Sequence, residues 1–172
     1  LCADPNASHP ASNTSKFSFA AGILNLEAMR ALLAAGADPC SVNNFGKCAL
    51  SNAVKNAERA PVSEDESERQ KVRERAHAVI DLSAQKVLGM SYTEHLASLT
   101  VGSAVTWEDV EKVNELGAKT GTLVDIRHST VDQASRKSIW GWSHPGDRQW
   151  VVESDSSRKQ ATFMPSQLRL AT

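Results

Sequence analysis

The sequence has few cysteines and no spacing that would make them act together. The chain has three cysteines, Cys2, Cys40 and Cys48, so they cannot all pair with one another. No two of them have the Cys-x-x-Cys spacing of a zinc ribbon. We therefore expect no disulfide framework. Reduced thiols are typical of a cytoplasmic or nuclear protein.

Long apolar runs are also missing. No stretch approaches the roughly 20 residues that span a bilayer, and no charged segment followed by an apolar one opens the chain as a secretory signal would. We therefore expect no membrane partner. The chain begins at Leu1 rather than Met, which predicts a fragment or a processed product.

Neither sign of charge is in excess. Residues 1–90 hold 10 acids and 10 bases, and residues 91–172 hold 10 acids and 9 bases. Because non-specific binding to nucleic acid needs an excess of Lys and Arg, this balance disfavours a nucleic-acid partner. The hydrophobic fraction of 41% is enough for a folded core.

Catalytic patterns are missing too. The five histidines are scattered, and the chain contains neither H-E-x-x-H nor G-x-S-x-G. The segment 117–122 contains two glycines and one lysine but lacks the order of a phosphate-binding loop. Asp125 and His128 lie three apart on a predicted strand, which places them on opposite faces. We expect no enzyme, no cofactor and no metal site.

What the sequence does contain is an internal repeat. Ala3-Asp4-Pro5 recurs as Ala37-Asp38-Pro39, an offset of 34 in the numbering. Phe17-Ser18-Phe19-Ala20 aligns with Leu50-Ser51-Asn52-Ala53 at an offset of 33. Two matches in the same order indicate that one structural motif occurs in two copies.

Residues 24–35 of the first copy predict a helix. They are rich in good helix formers, Asn25 is a suitable N-cap, and Gly36 is a suitable end. The apolar positions that share one face are Leu26, Met29, Leu32 and Leu33.

The second copy carries a charged insertion at residues 58–75. Its charges alternate in sign, which indicates a solvated helix face. Ser63-Glu64-Asp65-Glu66 is typical of a helix start, and the helix is predicted to run to about Lys86. Its predicted buried side consists of Val72, Ala76, Val79, Ile80 and Leu82.

Three consecutive segments have the pattern of one repeat family. Residues 32–39 correspond to the second helix of a repeat and the turn that follows it, and residues 42–47 to its β-hairpin finger. Residues 48–53 stand where that family has Thr-Pro-Leu-His-x-Ala. Over about residues 1–87 the chain resembles the ankyrin-repeat family. Both copies lack the Thr-Pro pair and the His. Asn13 stands where the second copy has Gly46, and Asn tolerates the left-handed conformation.

This resemblance implies an α-solenoid segment over residues 1–90, with a partial repeat, one full repeat and a modified terminal repeat. It implies a stack that continues N-terminally and a concave surface that binds a protein partner. The implied partner-binding residues are Ser8, His9, Asn43, Asn44, Phe45, Asn52 and Lys55. Phe45 is the sharpest candidate, because an aromatic residue at a finger tip can be an anchor; its alternative role is packing against a neighbouring finger.

From Val101 onward, short β-favouring runs alternate with turn residues. Strands are predicted near residues 103–107, 120–127, 139–142, 148–153 and 160–163. Residues 122–127 alternate polar and apolar as a half-buried strand does, and residues 107–113 fit either a loop or a short helix. So many short strands in so few residues imply a small barrel or a rolled sheet.

Residues 161–170 suggest a strand, a single 3-10 turn beginning at Pro165-Ser166, and a last strand. Together with residues 101–105 they resemble an SH3-like barrel over about residues 97–172. The predicted fold is therefore α+β and multidomain: an ankyrin-repeat segment followed by a small all-β barrel. Tyr92 is the only tyrosine and lies outside the barrel, which argues against an SH3-type peptide groove.

Among the tryptophans, Trp150 is predicted to be core, whereas Trp107, Trp140 and Trp142 are candidates for a barrel groove. The two parts together predict a non-catalytic adaptor or scaffold. One alternative is a KOW-like barrel that binds nucleic acid through Arg127, Arg136, Lys137 and Arg148, with tryptophans for stacking. Another is a non-catalytic part of a larger enzyme such as a ubiquitin ligase.

Overall fold

The computed structural model describes residues 4–59, 65–128 and 148–171, without the side chains of residues 58, 59, 128, 148 and 149. The chain divides into two compact units, residues 1–92 and 93–172. In the described ranges the first unit is helical and the second contains a five-stranded antiparallel sheet, so the fold mixes helix and sheet.

The first unit contains two successive turn–helix–helix copies. Helices α1 (Lys16–Gly22) and α2 (Leu26–Ala34) form the pair of the first copy, and α3 (Ala49–Arg59) and α4 (Glu66–Leu88) form the pair of the second. Helices α1 and α3 begin at positions 16 and 49, and they pack against each other. The spacing of these two helices therefore equals the offset that aligns Phe17 with Leu50 in the sequence.

The turn in front of each helix pair has the same construction. His9 N donates to Thr14 O at 2.9 Å in the first turn, and Asn43 N donates to Lys47 O at 3.0 Å in the second. Asn13 has a φ of 54° and Gly46 a φ of 73°, so both are left-handed. The first turn is one position longer, which explains why the sequence offset falls from 34 to 33 across it.

The helix ends follow the local sequence signals. Asn25 caps α2 by accepting from Ala28 N at 3.0 Å, and Gly36 follows with a φ of 86°. Asp65 caps α4, and Gly89 ends it in the left-handed conformation.

The buried faces differ in detail from those predicted. In α2 Met29 is fully buried, whereas Leu26, Leu32 and Leu33 are half-buried. In α4 the buried residues are Ala76, Val79, Ile80, Ser83 and Ala84. Val72 and Leu82, predicted as buried, are only half-buried.

The second unit begins near α5 (Tyr92–Ser98). Its strands are β1 (Ala104–Thr106), β2 (Thr120–His128), β3 (Arg148–Ser154), β4 (Gln160–Phe163) and β5 (Arg169–Leu170), in the sheet order β4-β3-β2-β1-β5. Helix α6 (Val110–Leu116) joins β1 to β2, and a 3-10 turn (Pro165–Gln167) precedes β5. The predicted strand at 139–142 lies outside the described residues.

Large side chains form the core of this unit. Trp107 and Phe163 lie with ring centroids 5.0 Å apart. The cluster as a whole consists of Leu99, Val105, Trp107, Leu116, Leu123, Trp150, Val152, Ala161, Phe163 and Leu168. The prediction that Trp150 belongs to the core is confirmed.

The simple alternation predicted for β2 is interrupted. Its pairing with β3 shifts between Leu123 and Asp125, which is a β-bulge. Leu123 is buried, and Ile126 packs against the same core although it lies three positions further on. Strict alternation would have placed these two residues on opposite faces.

Candidate interaction surface

The finger turn, residues 42–47, has a backbone fixed by one of its own side chains. Asn43 Oδ1 accepts hydrogen bonds from Phe45 N at 2.9 Å and from Lys47 N at 3.0 Å. Gly46 N donates to Asn43 O at 2.9 Å. Phe45 is 56% exposed at the end of this turn. The turn therefore presents an aromatic ring from a backbone that is already ordered.

Hydrogen bonds also join the finger turn to the turn of the first copy. Asn44 N donates to Ser12 O at 3.0 Å, and Asn44 Nδ2 contacts Ala11 O at 3.4 Å. Asn43 Nδ2 donates to Thr14 Oγ1 at 3.3 Å. The two turns consequently lie side by side, as their helices do.

Two further asparagines join α3 to α1. Asn52 Nδ2 donates to Ser18 Oγ and Asn56 Nδ2 donates to Gly22 O, both at 2.8 Å. A Cβ added at Gly22 would lie 3.1 Å from Asn56 Nδ2, so a larger residue there would displace this amide group. The two copies therefore meet through amide side chains that reach small residues.

The predicted partner-binding residues separate into different roles. Asn43, Asn44 and Asn52 use side-chain amide groups within the first unit. Phe45 is exposed, and Lys55 is half-buried on α3. The three asparagines thus help to hold the fold, a role that the sequence did not reveal.

Ser8 and His9 line an open cavity of about 540 Å³. Phe19, which the sequence reasoning did not select, is 63% exposed at its edge. The full lining consists of Ala7, Ser8, His9, Ser12, Thr14, Lys16 and Phe19. The signal for Phe19 was available, because an aromatic residue stands there where the second copy has Asn52.

The prediction that Trp107 lines a barrel groove is wrong. Trp107 is 1% exposed and packs in the core, so it does not line a groove. Its place on the inner side follows from β1, since Val105 and Trp107 are two positions apart and both are buried. Trp140 and Trp142 lie outside the described residues.

Of the four cations proposed for nucleic-acid contact, Arg127 is the one whose side chain lies within the described ranges. Arg127 Nε donates to Asp125 Oδ2 at 2.7 Å, and this bond holds the pKa of the Asp125 carboxyl below its usual value. Arg136 and Lys137 lie outside those ranges, as does the side chain of Arg148.

The glycines of segment 117–122 have structural roles. Gly117 ends α6 with a φ of 68°. A Cβ on Gly121 would lie 2.3 Å from Glu153 O on the neighbouring strand, so this position requires glycine.

Two buried polar groups tie α5 and α6 to the 3-10 turn. His95 Nε2 lies 3.0 Å from Pro165 O, and burial lowers the pKa of this imidazole. Asp109 caps α6 and accepts from Gln167 Nε2 at 2.8 Å. Across residues 4–59, 65–128 and 148–171 we find no group of three or more His, Cys, Asp or Glu placed to hold a metal ion.

Comparison of the chain with family models, with curated proteins and with solved structures returns no match. None of the helices within the described ranges combines the length and apolar character needed to cross a membrane.

Proposed function

We propose that this chain is a non-catalytic interaction protein that binds a protein partner through the finger turn. More particularly, residues 1–90 are a segment of ankyrin-type repeats and residues 97–172 are an SH3-like barrel. The partner-binding surface is centred on Phe45 and includes Lys55, which is half-buried on α3. Reduced thiols favour the cytoplasm or the nucleus as its compartment.

Support for the repeat architecture comes from the register of the first unit. The turns and the first helices of the two copies recur at the same offsets as the sequence motifs, and α1 packs against α3. Support for the barrel comes from the sheet order and from the 3-10 turn that leads into β5 beside β1.

The observation that carries the proposal is the exposure of Phe45 on a fixed backbone. Aromatic residues, phenylalanine among them, are enriched in protein–protein interfaces relative to the rest of the surface. A surface that is ordered before binding loses less conformational entropy when the partner docks. Asn43 supplies this order through its two bonds to the turn.

The nucleic-acid alternative has less support. Arg127 is already paired with Asp125, and both described tryptophans, Trp107 and Trp150, are buried and unable to stack on bases. A role as part of a larger enzyme is compatible with the same interaction surface.

The proposal is tested by affinity capture with the intact chain and with Phe45→Ala, followed by quantitative mass spectrometry. We expect at least one protein that the unchanged chain retains to fall about 30-fold or more with the variant, as truncation of a hot spot of about 2 kcal/mol predicts.

Phe19→Ala is the matched control, because the same truncation is made at a similarly exposed phenylalanine. Circular dichroism of all three proteins checks that the fold is retained. Identical capture profiles from the unchanged chain, Phe45→Ala and Phe19→Ala would contradict the proposal.

A further inference from the structure

The contacts between α1 and α3 show which side of α3 faces the first copy. Asn52 and Asn56 of α3 reach back to Ser18 and Gly22 of α1. The offset between the helices aligns position 19 of α1 with position 52, and position 23, the C-cap of α1, with position 56. These positions hold Phe19 and Ile23, which are 63% and 57% exposed.

The turns of the two copies are related in the same way as helices α1 and α3. Ser41 Oγ donates to Ser15 Oγ at 2.8 Å, and Asn43 Nδ2 reaches Thr14, so both residues face the first turn. The offset that aligns Asp4 with Asp38 gives positions 7 and 9 as the equivalents of 41 and 43, and these are Ala7 and His9. Both line the open cavity beside Phe19.

We call Ala7, His9, Phe19 and Ile23 the end face. Its members hold the positions through which the second copy contacts the first. The second copy presents hydrogen-bonding asparagines at its helical positions, whereas the end face presents two large apolar side chains. Phe19 and Ile23 lie four positions apart, hence on one side of the helix, and exposed apolar side chains grouped in this way are typical of an interface.

We propose that the end face packs against a further turn–helix–helix motif, which precedes α1 in the stack as α1 precedes α3. This inference rests on the repeat architecture of the proposed function. The receiving helix of that motif carries small residues four apart, in the arrangement of Ser18 and Gly22. Phe19 and Ile23 then lie over these small residues, and the cavity is filled by the neighbouring turn.

The test adds such a motif to the chain. A duplicate of residues 4–37 placed directly before Asp4 keeps the repeat register, because Asp4 then occupies the place of Asp38. Ser18 and Gly22 of the duplicate become the neighbours of the original Phe19 and Ile23. Urea unfolding, followed by far-ultraviolet ellipticity, compares the original and extended chains.

We expect the extended chain to unfold in one helical transition with a higher midpoint. The double variant Phe19→Ala/Ile23→Ala at the original positions should lower this midpoint clearly in the extended chain and hardly at all in the unextended chain. Phe45→Ala is the control, and it should have no such dependence on the extension.

Equal effects of the double variant in both chains would overturn the inference. A separate transition for the added duplicate would do the same. Sedimentation of the unextended chain tests whether a second copy of the chain binds the end face instead. A dimer that the double variant abolishes would assign the end face to that second copy and overturn the inference. Because partner capture is not used, loss of stacking is distinguishable from loss of binding through Phe45.

Discussion

The two units of this chain are stabilised in different ways. The first has helices joined by asparagine side chains that reach small residues, such as Asn52 to Ser18 and Asn56 to Gly22. The second has a sheet around large side chains, including Trp107. Both units bury apolar side chains, Met29 and Leu50 in the first among them. Loss of the amide contacts should therefore affect the first unit alone, and loss of the Trp107 side chain the second unit alone.

This difference can be measured in one protein. All four tryptophans lie in residues 93–172, so their fluorescence reports on the second unit alone. In the described ranges the longer helices, α3 and α4, lie in the first unit, so far-ultraviolet ellipticity reports mainly on it.

The largest effect is expected from Trp107→Ala. Removing this fully buried side chain leaves a cavity beside Phe163 and should reduce the free energy of unfolding of the second unit by about 3–5 kcal/mol. Urea unfolding followed by tryptophan fluorescence measures the loss. Val101→Ala, at an exposed position in the same unit, is the control and should change little. A comparable loss in the helical transition would show that the units are not stabilised separately.

The next effect is expected from Asn52→Ala combined with Asn56→Ala. Each change removes a hydrogen bond between α3 and α1, and each bond contributes about 0.5–1.5 kcal/mol. The midpoint of the ellipticity transition should fall while the fluorescence transition stays in place. Asn114→Ala, at an exposed position of α6, is the matched control for an asparagine in a helix. An unchanged ellipticity midpoint would contradict the importance of these amide contacts.

A pH effect is expected in the second unit through His95. Burial lowers the pKa of His95 in the folded state, and the nearby Arg169 guanidinium lowers it further, while the bond to Pro165 O opposes both. Below about pH 6.5, the usual pKa of histidine, the unfolded chain then binds protons that the folded chain does not. Stability should therefore be constant above that pH and fall as the pH decreases towards the folded-state pKa, by at most about 1.4 kcal/mol per pH unit.

Fluorescence-monitored unfolding between about pH 5 and pH 8 measures this slope. The variant His95→Gln cannot take up the proton, so its fluorescence transition should lose the slope that His95 contributes. His77 in the first unit also has a lowered pKa, again mainly because of burial, but its titration affects the ellipticity signal. A slope that persists in His95→Gln would assign the pH effect to another group.

Much of the fold followed from local patterns. The repeat offset predicted where α1 and α3 lie relative to each other along the chain, and Asn25 and Gly36 stand at the helix ends that their residue types predict. The strands around residues 104–106, 120–128, 148–154 and 160–163 were also predicted closely. The helix ends and the strands depend on the backbone preferences of a few adjacent residues, and these preferences can be predicted from the residue types.

The roles of individual side chains were harder to predict. An asparagine suits a partner interface and an internal hydrogen bond equally well, so Asn43, Asn44 and Asn52 could not be assigned before their neighbours were known. Trp107 presented the same ambiguity between core and groove. The bulge near Val124 depends on pairing with β3, which no local pattern encodes.

The smallest effect is expected where the two turns of the first unit are compared with each other. Asn13 and Gly46 hold equivalent left-handed positions. In Asn13→Gly the gain in backbone freedom at positive φ is offset by the loss of the bond that Asn13 Oδ1 accepts from Ser8 Oγ at 2.8 Å. The free energy of unfolding, measured from the ellipticity transition, should therefore change by no more than about 0.5 kcal/mol. Asn13→Ala should instead cost about 1–2 kcal/mol, because a Cβ without a polar group disfavours this conformation. If both changes were equally harmful, the side chain of Asn13 would be the important feature, and the two turns would be equivalent in shape but not in the way each is stabilised.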